Sequence, residues 1–156
     1  MNQVLLTLTT GSEPWLDEAV KRFEKKVSRF QPLEIVRIKS KGHGRDQAAL
    51  KIKDEEELLF KQLGEKDFVI VFDEHGKSLD SLEFSEQLSR ALESGKARLV
   101  FVIGGAFGLG EQIKKRANLR ISLSKLTFSH HVALAVALEQ IYRAWTIRKG
   151  QRYHNG

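Results

Sequence analysis

The sequence predicts an α/β fold built on a parallel sheet with helices on both faces. Three observations carry this. Strand-like and helix-like stretches alternate along the whole chain, the pattern of a sheet threaded by crossover helices. Two of the strands, residues 67–73 (DFVIVFD) and 98–103 (RLVFVI), are almost unbroken apolar runs, as expected of strands covered on both faces. A glycine-rich segment, residues 104–110 (GGAFGLG), follows the second of these, at the strand end where such sheets bind ligands.

The elements follow in order. Residues 4–9 read as a buried strand. Pro14 then opens a helix in which Leu16, Val20, Phe23, Val27 and Phe30 form one stripe. Residues 33–38 alternate and are β-branched, so they read as a second strand. Residues 41–45 (KGHGR) are expected to be a flexible basic loop, and residues 46–63 a helix ending before Gly64. After the strand at 67–73, residues 74–77 (EHGK) read as a turn. Ser81 is the expected cap of a helix that carries Leu82, Leu88 and Leu92 and stops at Gly95. A short basic helix follows from Glu111, then a weak strand at 119–123, a loop at 124–129 and a final helix over 130–149. Residues 132–138 of that helix are almost wholly apolar, so it should be buried on more than one side.

The 156 residues suit one domain, 1–156, with a real core, and repeats and linkers are absent from the sequence. No apolar run reaches the ~18 residues that span a bilayer. The start has no basic n-region and no A-x-A-type site, so no signal peptide is expected and the cytoplasm is. Without cysteine, disulfides, thiolate catalysis and Cys-based zinc are excluded. The net charge of +6 is unevenly placed: from Glu111 onward there are nine Lys/Arg and two acids, leaving −1 for the first 110 residues. A phosphate-rich partner is attracted to that basic third, although a merely solubilising surface looks the same.

The glycine segment fits neither common nucleotide fingerprint. A P-loop ends in G-K-[ST], whereas Gly110 is followed by Glu111. A dinucleotide site needs an early G-x-G-x-x-G and a ribose-binding acid after the next strand, where this chain has Lys39-Ser40. Backbone amides with Ala106, Phe107 and Leu109 suit an adenine pocket; a tight strand-to-helix turn explains the glycines equally well. His43 and His75 fall in expected loops, and His130 and His131 at a helix start, where a capping or core role is the ordinary reading. No spacing reads as a metal site and no G-x-S-x-G elbow occurs. His154 stands apart in a basic aromatic tail with Arg152 and Tyr153.

Several segments then join: residues 103–108 (IGGAFG), residues 121–128 (ISLSKLTF) with His130, residues 139–144 (EQIYRA) and the terminal Tyr153-His154. In that order and spacing they resemble the RlmH family of 23S ribosomal RNA (pseudouridine) N3-methyltransferases, small members of the SPOUT class. The resemblance covers essentially the whole chain, including residues 71–77 (VFDEHGK). It implies an α/β trefoil knot, with knot and cofactor loops over about 72–149 and a functional tail at 150–156. It implies a homodimer, S-adenosylmethionine as cofactor, no metal, and 23S rRNA in the assembled ribosome as substrate. Carried over by position, the cofactor residues are Phe72, Gly105 and the loop Ser124, Lys125, Leu126, Thr127, Phe128 and Ser129. The sequence departs from the pattern at Ser129, where proline is usual, and at Leu134, where arginine is usual. Ser129 is expected to loosen the loop, and His131 or Lys125 to supply the missing cation.

For such a methyl transfer the acceptor nitrogen must lose a proton. Arg143 is the candidate cation for the resulting anion, His154 the candidate base and Tyr153 a stacking or hydrogen-bonding partner. The plainer reading of Arg143 is an i, i+4 pair with Glu139. The rival functions are a non-catalytic ribosome-associated RNA-binding module of the same fold and a dinucleotide oxidoreductase, which the missing ribose acid disfavours.

Overall fold

The computed structural model describes residues 1–9, 11, 13–41 and 45–155; His43 and most of the basic loop expected around it lie outside them. The elements are β1 (Asn2–Thr9), α1 (Pro14–Ser28), β2 (Leu33–Lys39), a short 3-10 turn (Arg45–Gln47), α2 (Ala48–Phe60), β3 (Asp67–Ser78), α3 (Ser81–Leu92), β4 (Arg98–Ile103), α4 (Glu111–Arg116), β5 (Leu119–Ser122) and α5 (His130–Arg148). The five strands form one sheet in the order β2-β1-β4-β3-β5, and every pairing is parallel.

Alternation along the strands explains why the sheet is covered twice. Successive side chains of a strand point to opposite faces. Leu5, Ile70, Phe72, Leu99, Phe101 and Ile103 pack on one face with α1, α3 and α5. Val4, Leu6, Leu8, Val69, Val71, Val100 and Val102 pack on the other with Leu59 of α2 and Ile113 of α4. Phe101 is fully buried at the centre of the first layer, where truncation to alanine costs about 3–5 kcal/mol.

Two local expectations change. Residues 74–77 are not a turn: β3 continues to Ser78 past an irregularity in its pairing with β5. Phe72 and Lys77 both face Ile121, so residues 73–76 bulge out and the chain then rejoins the ladder. Gly76 makes the rejoining possible, because a β-carbon there would lie 2.7 Å from the backbone of Arg120 and Ile121. The cap of α3 is Asp80 rather than Ser81. Its carboxylate accepts the Glu83 N–H, and the Glu83 carboxylate accepts the Asp80 N–H.

The stripe on α5 is more fully used within the protomer than its composition suggested. Leu134, Ala137, Leu138, Ile141, Ala144 and Trp145 are buried against α1 and α3, while Val132 is exposed. Trp145 stacks on Phe30 and donates its indole N–H to Gln3 Oε1 at 2.8 Å. Leu134, 2 % exposed, belongs to this core. Of the two cations expected to compensate for it, Lys125 is exposed, and His131 Nδ1 lies 3.1 Å from Glu13 Oε1. Among the described residues no helix is long and apolar enough to cross a membrane.

Candidate active site

The C-terminal ends of β3, β4 and β5 open into a cleft of about 480 Å3. Three segments wall it: residues 72–75 at the β3 bulge, residues 103–109 after β4, and residues 123–130 between β5 and α5. Phe72, Gly105, Ser124, Leu126, Thr127, Phe128 and Ser129 all line it; Lys125, the remaining member of that set, turns to solvent. Its volume and mixed lining match a small-molecule site.

The glycines have structural reasons as well as a place on the wall. Gly108 has φ +85° and closes back on Gly105, whose carbonyl accepts its N–H at 3.1 Å. A β-carbon at Gly105 would lie 2.7 Å from Glu55 Oε2, and one at Gly110 would overlap the Glu56 carboxyl. The loop is thus pressed between the cleft and α2. Glu56 in turn accepts the Ile113 N–H at 2.9 Å and caps α4, whose own N-cap, Gly110, has no side chain. The close approach at Gly105 is therefore to α2 behind the loop.

Ser129, where proline is usual, caps α5. Its φ of −61° is the value proline would fix, and its hydroxyl accepts the Val132 N–H at 3.3 Å as the cap of α5. The next residue, His130, also lines the cleft. Burial, then the neighbouring His131 and Lys51, push its pKa below the ordinary imidazole value of 6.5. A neutral imidazole therefore faces the cleft near neutral pH, a role its position at a helix start did not suggest.

Asp73 on the bulge was also unassigned in the sequence. Burial alone would raise its pKa, but hydrogen bonds from Arg120 and the His75 N–H, with the Lys114 and Arg120 charges, hold it below 3.8. It is an anion already spoken for by Arg120.

Arg143, Tyr153 and His154 come together, but elsewhere. Gly150, at φ +68°, ends α5, and the Gln151 N–H returns to the Thr146 carbonyl at 2.8 Å. This folds the tail back along the helix. Glu139 is the hub: it takes Arg143 Nη2 at 2.6 Å and the Tyr153 hydroxyl at 3.1 Å. The Arg143 guanidinium lies 4.7 Å from the Tyr153 ring centroid, and its Nη1 is 3.0 Å from His154 Nδ1. The expected i, i+4 pair is thus present and serves the cluster. Arginine has only donors, so Nδ1 accepts and the proton of neutral His154 stands on Nε2. In this arrangement the second ring nitrogen of His154, Nε2, presents its N–H to the surroundings.

None of the three residues lines the cleft. Ala133 is the last α5 residue on it, and Arg143 is ten residues further, about 15 Å along the axis at 1.5 Å per residue.

Comparison with known proteins agrees with this geometry. Residues 1–154 match the family model described as "Predicted SPOUT methyltransferase". The chain is 44% identical to the ribosomal RNA large subunit methyltransferase H of Bdellovibrio bacteriovorus, over 99% of each chain. It is 41% identical to the protein of the same name from Caldicellulosiruptor saccharolyticus, over 96% of this chain and 97% of that one. Among solved structures, a probable methylase family protein from Haemophilus influenzae superposes with a TM-score of 0.58 at 10% identity, covering 99% of this chain and 71% of the other, a likeness of fold alone. On the family match and the full-length relatives, the chain belongs to the SPOUT methyltransferase family.

Proposed function

We propose that this protein is an S-adenosylmethionine-dependent methyltransferase of large-subunit ribosomal RNA, acting on N3 of a pseudouridine in the assembled ribosome. The observation that carries the reading is the cleft at the ends of β3, β4 and β5, walled by the three segments for which the family resemblance implies cofactor contacts. The relatives named ribosomal RNA large subunit methyltransferase H supply the substrate class. The reading includes a single SPOUT domain over 1–156, a trefoil knot, a homodimer and a cytoplasmic place of work.

The lining fits the cofactor. Phe72, Ile103, Leu109 and Phe128 offer apolar surface for adenine, and the backbone of 103–109 and 124–129 offers amide donors and acceptors. The one acid of the bulge with a buried side chain, Asp73, is paired with Arg120, which offsets its charge beside the carboxylate end of the cofactor. When bound, S-adenosylmethionine supplies a methyl group on a sulfonium, already electrophilic, which leaves positioning and proton handling to the protein.

The proton on N3 must leave before the ring nitrogen attacks. His130 is the neutral nitrogen on the cleft and takes that role better than His154, whose Nδ1 is filled by Arg143. Arg143 and the Nε2–H of His154 stabilise the anionic ring, and Tyr153 packs or hydrogen-bonds against the base. The ~15 Å along α5 between cleft and cluster is bridged if the tail of one protomer reaches the cleft of its partner. The exposed Val132 and the half-buried Ala133, Ala135 and Val136 leave apolar surface on α5 for that partner.

Transfer of labelled methyl groups to ribosomes lacking the modification tests the activity, and calorimetry with S-adenosylmethionine and NAD tests the cofactor. Labelling at the pseudouridine and binding of S-adenosylmethionine alone are expected; tight NAD binding without a response to S-adenosylmethionine overturns the reading. Light scattering should report a dimer at micromolar concentration.

A further inference from the structure

We propose that Arg120 is a positioning residue of the cleft: by clamping Asp73 it holds the bulged wall 73–76 in the shape that admits S-adenosylmethionine. This rests on the cofactor reading above, and the test separates the two.

The bulge is an unusual wall. A strand ordinarily gains its rigidity from its ladder, but here Phe72 and Lys77 share Ile121 as partner and residues 73–76 stand outside the register. Those same residues supply one side of the cleft, through Asp73, Glu74 and His75. Something other than the ladder must hold them. Asp73 Oδ2 accepts two hydrogen bonds from Arg120, from Nη2 at 2.6 Å and from Nε at 3.2 Å. Its Oδ1 accepts the His75 N–H at 3.4 Å, tying the carboxylate to the apex of the bulge. The Asp73 side chain is 7% exposed, so the carboxylate is committed to this contact.

Arg120 is itself well placed to be the fixed end. It lies in β5, where its backbone pairs with Val71 and abuts Gly76. One residue thus grips the bulge at its start through a side chain and at its close through the main chain. Lys114, the other cation facing Asp73, is drawn to Glu111 at 3.5 Å and does not duplicate the fork. Without Arg120 the Asp73 carboxylate is buried against a low-dielectric wall with too few partners. It gains solvation by swinging outward and carrying residues 73–75 with it. Arg120 touches neither cofactor nor RNA in this account; it acts through Asp73.

The test compares Arg120→Ala, Arg120→Lys and Asp73→Asn with the unaltered protein. Two quantities are read on each: hydrogen exchange of the amides of residues 73–78 without cofactor, and the calorimetric Kd for S-adenosylmethionine. Arg120→Ala should raise exchange across the bulge and weaken binding by about tenfold, the scale set by small misplacements of a site wall. Arg120→Lys should recover part of both. The KM for the cofactor should rise while kcat at saturating cofactor stays near the unaltered value, a split that general destabilisation would not produce. Should Arg120→Ala fold poorly, Asp73→Asn, which leaves no buried charge unpaired, carries the same comparison. Unchanged exchange with unchanged Kd in either folded variant overturns the clamp. If the unaltered protein binds no S-adenosylmethionine, the cofactor reading falls, and the exchange data alone decide whether Arg120 holds the wall.

Discussion

The cleft and the tail cluster are built by opposite means. The cleft is made of loops at strand ends, with glycines, backbone amides and apolar side chains for walls, and its shape is imposed from behind by α2, the β3 bulge and the cap of α5. The cluster is made of charged and aromatic side chains that hold one another: Glu139 grips Arg143 and Tyr153, and Arg143 grips His154. A bulky cofactor needs a shaped surface, which packing provides. An anion forming for an instant needs oriented donors, which a hydrogen-bonded network provides. The two regions share α5 but are about 15 Å apart along it, so changes to one should leave the other's readout alone.

The largest expected effect breaks the comparison at the tail. Deleting residues 153–156 should lower methyl transfer by about 10³-fold, since it removes at once several of the contacts proposed for the transition state. The Kd for S-adenosylmethionine and the melting temperature should hardly move, because the tail lies outside the core. Transfer at the unaltered rate would show that the tail is a bystander.

The next asks which region holds the base. His130→Ala should cost about 10²-fold in the rate of transfer. In the unaltered protein the rate should fall with acid only below pH 6.5, because His130 takes up its proton at a lower pH than an ordinary imidazole. The variant should lose that acid limb. If the limb survives in His130→Ala and disappears in His154→Ala, the base belongs to the tail after all.

A smaller effect probes the hub. Glu139→Gln keeps the shape but loses the charge that aligns Arg143 and Tyr153, and should slow transfer by about tenfold. Cofactor affinity should not change. A weakened Kd in this variant would mean that cleft and cluster are coupled within one protomer.

The smallest concerns the glycine wall. Gly105→Ala places a methyl against the Glu55 carboxylate, which is the movable end of a side chain, so affinity for the cofactor should fall roughly fivefold, equivalent to about 1 kcal/mol. Gly105→Val should do more. Equal affinity in folded Gly105→Val would remove the loop from the site.

Much of this was legible beforehand. The apolar runs at β3 and β4, the stripe on α1 and the glycine segment after β4 are local patterns, and local patterns survive into the fold because backbone geometry enforces their periods. The reading failed where a partner distant in sequence decided the outcome. Residues 74–77 look like a turn until β5 is present to pair with them again beyond the bulge. Ser81 looks like a cap until the reciprocal bonds of Asp80 and Glu83 prevail.

The sequence by itself determined the parallel α/β sheet, the segments that line the cleft and the family, because each is written in contiguous residues at fixed spacing. Only the tertiary structure decided that Asp73 answers to Arg120, and that Arg143 Nη1 and His154 Nδ1 meet at 3.0 Å. These are facts about which side chains share a few ångströms of space. Hydrogen bonds and burial act at that range whatever the separation along the chain, and no periodicity records them.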